Sequence, residues 1–284
     1  MRVAKTIKTV RAAVKAARKA GRTIGFVPTM GALHRGHISL IERSVKRGDF
    51  VVVSIFVNPT QFGHGEDLSR YPRPLRADLK ICSEQGVNVV FVPSPREMYG
   101  EGTVAWVNVE KLSAPLCGQF RPGHFRGVAT VCAKLFNIVC PDFAYFGQKD
   151  AQQLVVIRRM VADLNFPLRV VGCPTVREAD GLALSSRNRY LTSRQRKDAT
   201  CIYRSLRAAR EMTKAGVTNP ETIAGRMRKI LNAADTLRSI DYVSIVNAET
   251  LEDVRRVSGR VLIATAARFG SARLIDNITV DAGK

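Results

Sequence analysis

Short unbroken apolar runs alternate with stretches of helical period through the first 175 residues. The runs TIGFVPT (23–29), FVVVSIFVN (50–58), VNVVFVP (87–93), FAYFG (143–147) and LRVVGCP (168–174) carry almost no polar alternation. A strand with one wet face alternates, whereas strands covered by helices on both faces of a parallel sheet read as continuous apolar runs. Helical patterns at about 36–46, 74–85 and 150–164 fall between the runs. Ahead of them, Ile7, Val10 and Val14 recur at helical spacing and Gly21 stops the pattern. The basic N-terminal stretch is therefore expected to be a first structural helix rather than an organellar transit peptide. This order predicts an α/β fold, a doubly wound Rossmann-like parallel sheet over residues 1–175, with ligands beyond the carboxyl ends of its strands.

After READGLALSSRNRYLT the texture changes. A polar, helix-rich stretch (about 192–234) leads into IDYVSIV, RVLIATAA and ARLIDNITV. That sequence predicts a second, smaller α+β domain over residues 176–284.

Composition adds three points. No apolar run approaches the roughly 18 residues that a membrane span needs, so no membrane partner is expected. The six cysteines, at 82, 117, 132, 140, 173 and 201, form no CxxC pair or regular framework, which favours reduced thiols and a cytoplasmic setting. Lys and Arg number 45 against 24 Asp and Glu, a net charge of +21, which raises RNA, DNA or an anionic surface as a partner. The basic residues are spread along the chain, without the aromatic and basic interleaving of an RNA-binding sheet, so nucleic acid is not the expected partner.

The candidate chemistry starts at PTMGALHRGHISL (28–40), which holds two of the four histidines, His34 and His37. A strand ends at Pro28-Thr29 and a helix starts near His34 to Gly36. Backbone N–H groups at such a start carry partial positive charge and suit a phosphate. Gly31 and Gly36 let backbone approach a nucleotide, and histidines three apart can aim at the same oxygens and stabilise charge growing on an α-phosphate. Zinc is disfavoured, since HxxH is not the HExxH spacing and His64 and His124 sit in unrelated surroundings; no metal-ligand set is expected. Lys149, in FGQKD just after an apolar run, stands where an ammonium can reach phosphates. The hydroxyls and guanidinium of Ser185, Ser186 and Arg187 suit phosphate oxygens.

PTMGALHRGH resembles the HIGH-type signature of the nucleotidylyltransferase superfamily, which class I aminoacyl-tRNA synthetases share. Further blocks resemble the pantothenate synthetase (pantoate–β-alanine ligase) family: VVVSIFVNPTQFG (51–63), DLSRYPR (67–73), RPGHFRGVATVCAKLFNIV (121–139), FGQKDAQQLVVIRRMVADLN (146–165), VREADGLALSSRNRYL (176–191) and ARLIDNI (272–278). They stand in the family's order across nearly the whole chain. The resemblance implies two steps with ATP and Mg2+. Pantoate carboxylate attacks the α-phosphate to give pantoyl adenylate and pyrophosphate, and the β-alanine amine then attacks the acyl carbon, releasing AMP and pantothenate. It implies catalytic roles for His34, His37, Lys149 and Arg187. It implies nucleotide contacts from Met30, Gly31, Ala32, Leu33, His34, Arg35, Gly36 and His37, from Gly147, Gln148, Lys149 and Asp150, from Val176, and from Leu184 through Ser185, Ser186 and Arg187. Gln61 and Gln153 match the family's pantoate-binding glutamines, with Met30 and Phe146 as an apolar wall. A homodimer, and a C-terminal domain that closes over ATP, also follow from the resemblance and from the boundary beside the phosphate loop.

Two departures stand out. Cys117 occupies a position where many relatives have Glu, and Ala77-Asp78 replaces the paired acids of some, leaving Asp78 as a tentative aid to magnesium. The alternatives are a nucleotidylyltransferase acting on another small carboxylate or phosphate substrate, and a nucleic-acid-binding relative of the tRNA synthetases.

Overall fold

The computed structural model describes residues 1–63 and 65–283; His64 lies outside them. In chain order the elements are β1 (Arg2–Ala4), α1 (Ile7–Lys19), β2 (Ile24–Thr29), α2 (Arg35–Lys46), β3 (Phe50–Ile55), α3 (Leu75–Glu84), β4 (Val89–Phe91), α4 (Pro95–Met98), α5 (Cys117–Phe120), α6 (His124–Val139), β5 (Phe143–Gly147), α7 (Ala151–Asp163) and β6 (Arg169–Cys173). There follow α8 (Ser193–Asp198), α9 (Cys201–Lys214), α10 (Pro220–Asn232), β7 (Leu237–Asn247), β8 (Arg260–Phe269) and β9 (Ala272–Asp281).

The chain divides into two compact units. The first comprises Met1–Ser113, Arg121–Gln148 and Gln153–Pro174; the second comprises Ala114–Phe120, Lys149–Gln152 and Thr175–Lys284.

The first unit is built on a six-stranded sheet in the order β1-β4-β3-β2-β5-β6, with every pair parallel. From β2 the chain steps outward through β3 and β4, then returns to place β5 on the other side of β2 and β6 beyond it. This is the doubly wound arrangement expected, and its order reverses between β2 and β5, where open α/β sheets take their ligands. The apolar runs bury Ile24, Phe26, Val27, Val51, Val52, Val53, Val90 and Phe91 almost completely. The stretch before Ile7 adds β1, which pairs with β4 at the sheet edge and was not foreseen. It has three residues of which only Ala4 is buried, too short for any period to show.

Buried polar contacts fix α2 on the sheet. Tyr145 Oη donates to Asp49 Oδ2 at 2.6 Å, Ser44 Oγ donates to the same oxygen at 2.9 Å, and Arg47 Nε donates to Oδ1 at 3.1 Å. Burial, reinforced by the Asp49 contact, pushes the Tyr145 hydroxyl well above its ordinary value, so it stays a donor. A Cβ at Gly25 would overlap Ser44 Oγ and Asp49, so this close approach of α2 to β2 needs glycine.

In the second unit β7, β8 and β9 form an antiparallel three-stranded sheet, irregular in β7 between Leu237 and Tyr242. Helices α9 and α10 pack on it through Ile202, Leu206, Ile223, Met227 and Leu231, against Val261, Ile263 and Phe269. This is the smaller α+β architecture expected from the C-terminal pattern.

Candidate active site

The signature loop follows β2. Gly31 has φ +81° and Ala32 φ +51°, a left-handed turn that for alanine stores strain of about 1 kcal/mol or more. Asp78, on α3, holds it. Its Oδ2 accepts from the Ala32 N–H at 2.9 Å and its Oδ1 from the Leu33 N–H at 2.8 Å. Asp78 is buried to 1% exposure, so both oxygens are consumed by the loop. The residue offered above as an aid to magnesium does not fit that role; it is the brace of the histidine turn. Among the described residues no group of three or more His, Cys, Asp or Glu side chains is arranged to hold a metal ion.

His34 is the N-cap of α2 in extended conformation (φ −140°), and its Nδ1 accepts from the Gly36 N–H at 3.1 Å. His37 Nδ1 accepts from the His34 N–H at 3.3 Å, completing a reciprocal capping box with imidazoles in place of the usual hydroxyl and carboxylate. The ring centroids lie 4.1 Å apart. A ring nitrogen that accepts carries no proton, so each neutral imidazole has its proton on Nε2. The His34 and Gly36 amides are thus used internally. Gly36 has an internal reason as well, since a Cβ there would come within 2.8 Å of the His34 ring.

Gln61 ends a short 3-10 turn (Pro59–Gln61) beyond β3 and is buried. Its Oε1 accepts from Asn58 Nδ2 at 3.1 Å, and its Nε2 donates to Met30 Sδ at 2.9 Å. Asn58 Nδ2 also donates to the Gly127 carbonyl at 3.2 Å, and Tyr99 Oη donates to Asn58 Oδ1 at 2.8 Å. The structure therefore brings Gln61 and Met30 together, as the sequence reading paired them. Phe146 is buried in β5, edge-on to Phe136. Gln153 is half-buried on α7.

Gln148–Asp150 form a 3-10 turn directly after Gly147, and Lys149 and Asp150 belong to the second unit. Lys149 Nζ lies 4.0 Å from Asp150 Oδ1, and the Lys149 carbonyl accepts from Asn277 Nδ2 at 2.7 Å. The neighbouring Asp276 takes Arg177 through both oxygens, with Nη2 at 3.0 Å from Oδ1. Arg177 also donates to the Gly181 carbonyl and lies over the Tyr203 ring. The Asp276-Asn277 pair of the closing block thus carries both the lysine turn and the base of the 176–184 hairpin, where Leu184 N–H donates to the Val176 carbonyl at 3.0 Å. Ser185 caps the following turn by accepting from the Arg187 N–H at 3.3 Å, and Asn188 Nδ2 ties the loop to the Ala183 carbonyl.

Cys117, the departure from Glu, is buried with Tyr242 and Arg273. Its Sγ lies 3.3 Å from Tyr242 Oη and accepts from Arg273 Nη1 at 3.4 Å. Burial and then Cys117 push the Tyr242 hydroxyl well above its ordinary value. Gln152 anchors this segment, accepting from the Cys117 N–H and donating to the Pro115 carbonyl.

The sequence reading named the imidazoles, the lysine, the serine–arginine loop and the glutamines. It missed their supports: Asp78 as brace, Asn58, Arg121, His124, Gln152, Asp276 and Asn277. For most of them the partner lies tens of residues away, 46 for Asp78 and 128 for Asn277, so no local spacing marks the contact; Asn58 with Gln61 and Arg121 with His124 are three apart, but neither spacing is distinctive.

Comparison with known proteins bears on this set of residues. The family model for pantoate-beta-alanine ligase matches residues 2–279. The pantothenate synthetase of Acetivibrio thermocellus is 54% identical over 284 residues, 99% of this chain and 100% of that protein. The pantothenate synthetase of Sulfurihydrogenibium sp. is 55% identical over 261 residues, 92% of this chain and 93% of its own. The crystal structure of pantothenate synthetase from Thermus thermophilus matches with a TM-score of 0.93 at 48% identity, over 100% of both chains. That of pantoate-beta-alanine ligase from Francisella tularensis, complexed with beta-gamma ATP and beta-alanine, matches with a TM-score of 0.81 at 36% identity, over 98% of this chain and 97% of that one. Similarity of this depth runs from the strand-end histidines to the closing Asp276-Asn277 pair, and the chain belongs to the pantoate–β-alanine ligase family.

Proposed function

We propose that the protein condenses pantoate with β-alanine at the expense of ATP, releasing AMP and pyrophosphate. Family membership supports the overall reaction. The observation that carries the chemistry is the pair of imidazoles at the β2–α2 turn, each with its proton on Nε2 by virtue of what its Nδ1 accepts.

In the first step a pantoate carboxylate oxygen attacks the α-phosphorus, the bond to the bridging oxygen breaks, and pyrophosphate leaves. His34 and His37 donate hydrogen bonds to phosphate oxygens as charge grows there. Lys149 and Arg187 neutralise the triphosphate, and Ser185 and Ser186 supply hydroxyls, as the family resemblance implies. The remaining nucleotide contacts follow the same resemblance, from Met30 through His37, Gly147 through Asp150, Val176 and Leu184. Gln61 and Gln153 bind pantoate with neutral amides, which leave the carboxylate nucleophilic. In the second step the β-alanine amine attacks the acyl carbon, loses its proton, and AMP departs. Magnesium enters as part of the ATP substrate, since Asp78 is committed to the loop.

The family also implies a homodimer, for which light scattering should give about twice the 31.3 kDa of one chain. It further implies that the C-terminal domain closes over ATP. All six cysteines are unpaired, which supports work in the reducing cytoplasm. No helix is long and apolar enough to cross a membrane among the described residues.

The test is pyrophosphate and AMP release with ATP and a panel of hydroxy acids. Pyrophosphate should appear with pantoate, and AMP should accumulate over many turnovers only when β-alanine is added. Stronger turnover with another acid would overturn the reading. His37→Ala and Lys149→Ala should each lower kcat by about two orders of magnitude, the usual weight of one donor to a developing phosphate charge.

A further inference from the structure

The fourth histidine of the chain reaches Gln61 from behind. His124 opens α6, preceded by Gly123 at φ +78°. Its Nδ1 lies 2.8 Å from the Gln61 carbonyl oxygen, and Arg121 Nη2 donates to the same oxygen at 3.3 Å. His124 Nε2 lies 2.9 Å from Arg121 Nη1. Arg121 in turn grips Glu66 through two hydrogen bonds, Nε to Oε1 at 2.7 Å and Nη2 to Oε2 at 2.6 Å.

The chemistry of the partners fixes the imidazole. A carbonyl oxygen only accepts, so Nδ1 carries the proton. A guanidinium only donates, so Nε2 is an acceptor. His124 is therefore neutral and in the tautomer opposite to that of His34 and His37. One hydrogen-bonded chain runs from Glu66 through Arg121 and His124 to the Gln61 main chain. On the other side Asn58 and Met30 hold the Gln61 carboxamide. The turn is thus gripped on main chain and side chain together, and Gly127 lets α6 lie directly against it, since a Cβ there would overlap the Thr60 carbonyl.

We infer that His124 is a positioning residue for pantoate. Its Nδ1–H, locked by Arg121 and Glu66, sets the main chain of Gln61 and so the aim of the carboxamide. The inference rests on the reading that Gln61 binds pantoate. Misplacement of a binding amide by a fraction of an ångström weakens its ligand selectively, and the donors to ATP, on a different turn, stay as they are.

Two amide substitutions separate positioning from bulk structure. In His124→Asn the side-chain nitrogen falls where Nδ1 was, keeping the donor to Gln61. In His124→Gln it falls near the position of Nε2 and the donor is lost. With the full-length protein and initial rates of AMP release, His124→Gln should raise the pantoate KM about tenfold, the weight of one good hydrogen bond, with the ATP KM within about twofold. His124→Asn should restore most of the affinity. Equal behaviour of the two variants, or an unchanged pantoate KM in His124→Gln while the wild type turns over, overturns the inference and leaves the proposed reaction standing. Absence of pantoate turnover in the wild type overturns both. Should His124→Gln fail to fold, Glu66→Gln asks the same question from the far end of the chain of contacts. It loosens Arg121 and should raise the pantoate KM with the ATP KM constant; an unchanged pantoate KM overturns the inference there as well.

Discussion

Asp78 shows how much of this site depends on a single carboxylate that touches no reacting atom. It accepts two N–H groups from a turn that includes an alanine at positive φ. Asp78→Asn keeps the shape but turns one acceptor into an NH2 facing an N–H, and a buried donor left unmet costs about 1–3 kcal/mol. The strained turn should relax and carry His34 with it. The expected outcome is a fall in kcat of about tenfold or more together with a lower denaturation midpoint, read from steady-state assays and urea unfolding. An unchanged kcat would show that the histidines do not need the brace. Glu66 carries a pH signature at the same scale. Burial by itself would raise its carboxyl, but the two Arg121 donors, the Arg121 charge and the Gly63 amide bring it below its ordinary 4.5. A carboxyl lowered on folding adds stability above its unfolded value, and that stability is lost as pH falls through the folded value. The melting temperature should therefore drop on acidification below about 4.5, and Glu66→Gln should flatten that drop without abolishing it.

Elements differ in how plainly the sequence announces them. The strands β2, β3 and β5 are continuous apolar runs and can be read directly, because a strand covered on both faces has little polar sequence to break it. Helix α6 hides for the opposite reason. Phe125, Val128, Ala129, Val131, Cys132, Leu135 and Phe136 are all buried, so the helix is apolar around most of its circumference and its polar stripe is narrow, carried by Arg126, Lys134 and Asn137; only the family block drew attention to it. Strand β1 is too short to have a period. The same limit governs the site, where groups that act within one turn, His34 with His37 or Ser185 with Arg187, are legible as spacing. Asp78, Asn277 and His124 act across the fold on distant main chain, and Asp276 on the distant Arg177 side chain, and are not. Gly127 ties these points together, since it is ordinary as a sequence position yet admits α6 to the Pro59–Gln61 turn. Gly127→Ala forces that contact apart at a backbone carbonyl, which cannot swing aside like a side chain. Overpacking of this kind costs about 1–3 kcal/mol. A melting midpoint lower by several degrees, with a raised pantoate KM, is the expected result; an unshifted midpoint would mean the helix and turn are free to separate.

At the scale of the whole molecule, the proposed nucleotide chemistry draws on both compact units. The imidazoles belong to the first and Lys149, Ser185, Ser186 and Arg187 to the second. A ligand that binds only the folded state stabilises it by about 2.7 kcal/mol at a hundredfold excess over its dissociation constant. If His37 and Arg187 each hold the triphosphate, as proposed above, that stabilisation needs each of them. His37→Ala in the first unit and Arg187→Ala in the second should each remove most of the rise in melting temperature that MgATP gives the wild type, each rise being read against that variant's own ligand-free melt. Calorimetric scans with and without MgATP decide the matter. Should one variant keep the full rise, the residue it replaces takes no part in holding ATP. The role that the family resemblance gives that side chain would then fall, and the growing phosphate charge would have to be met by the remaining donors.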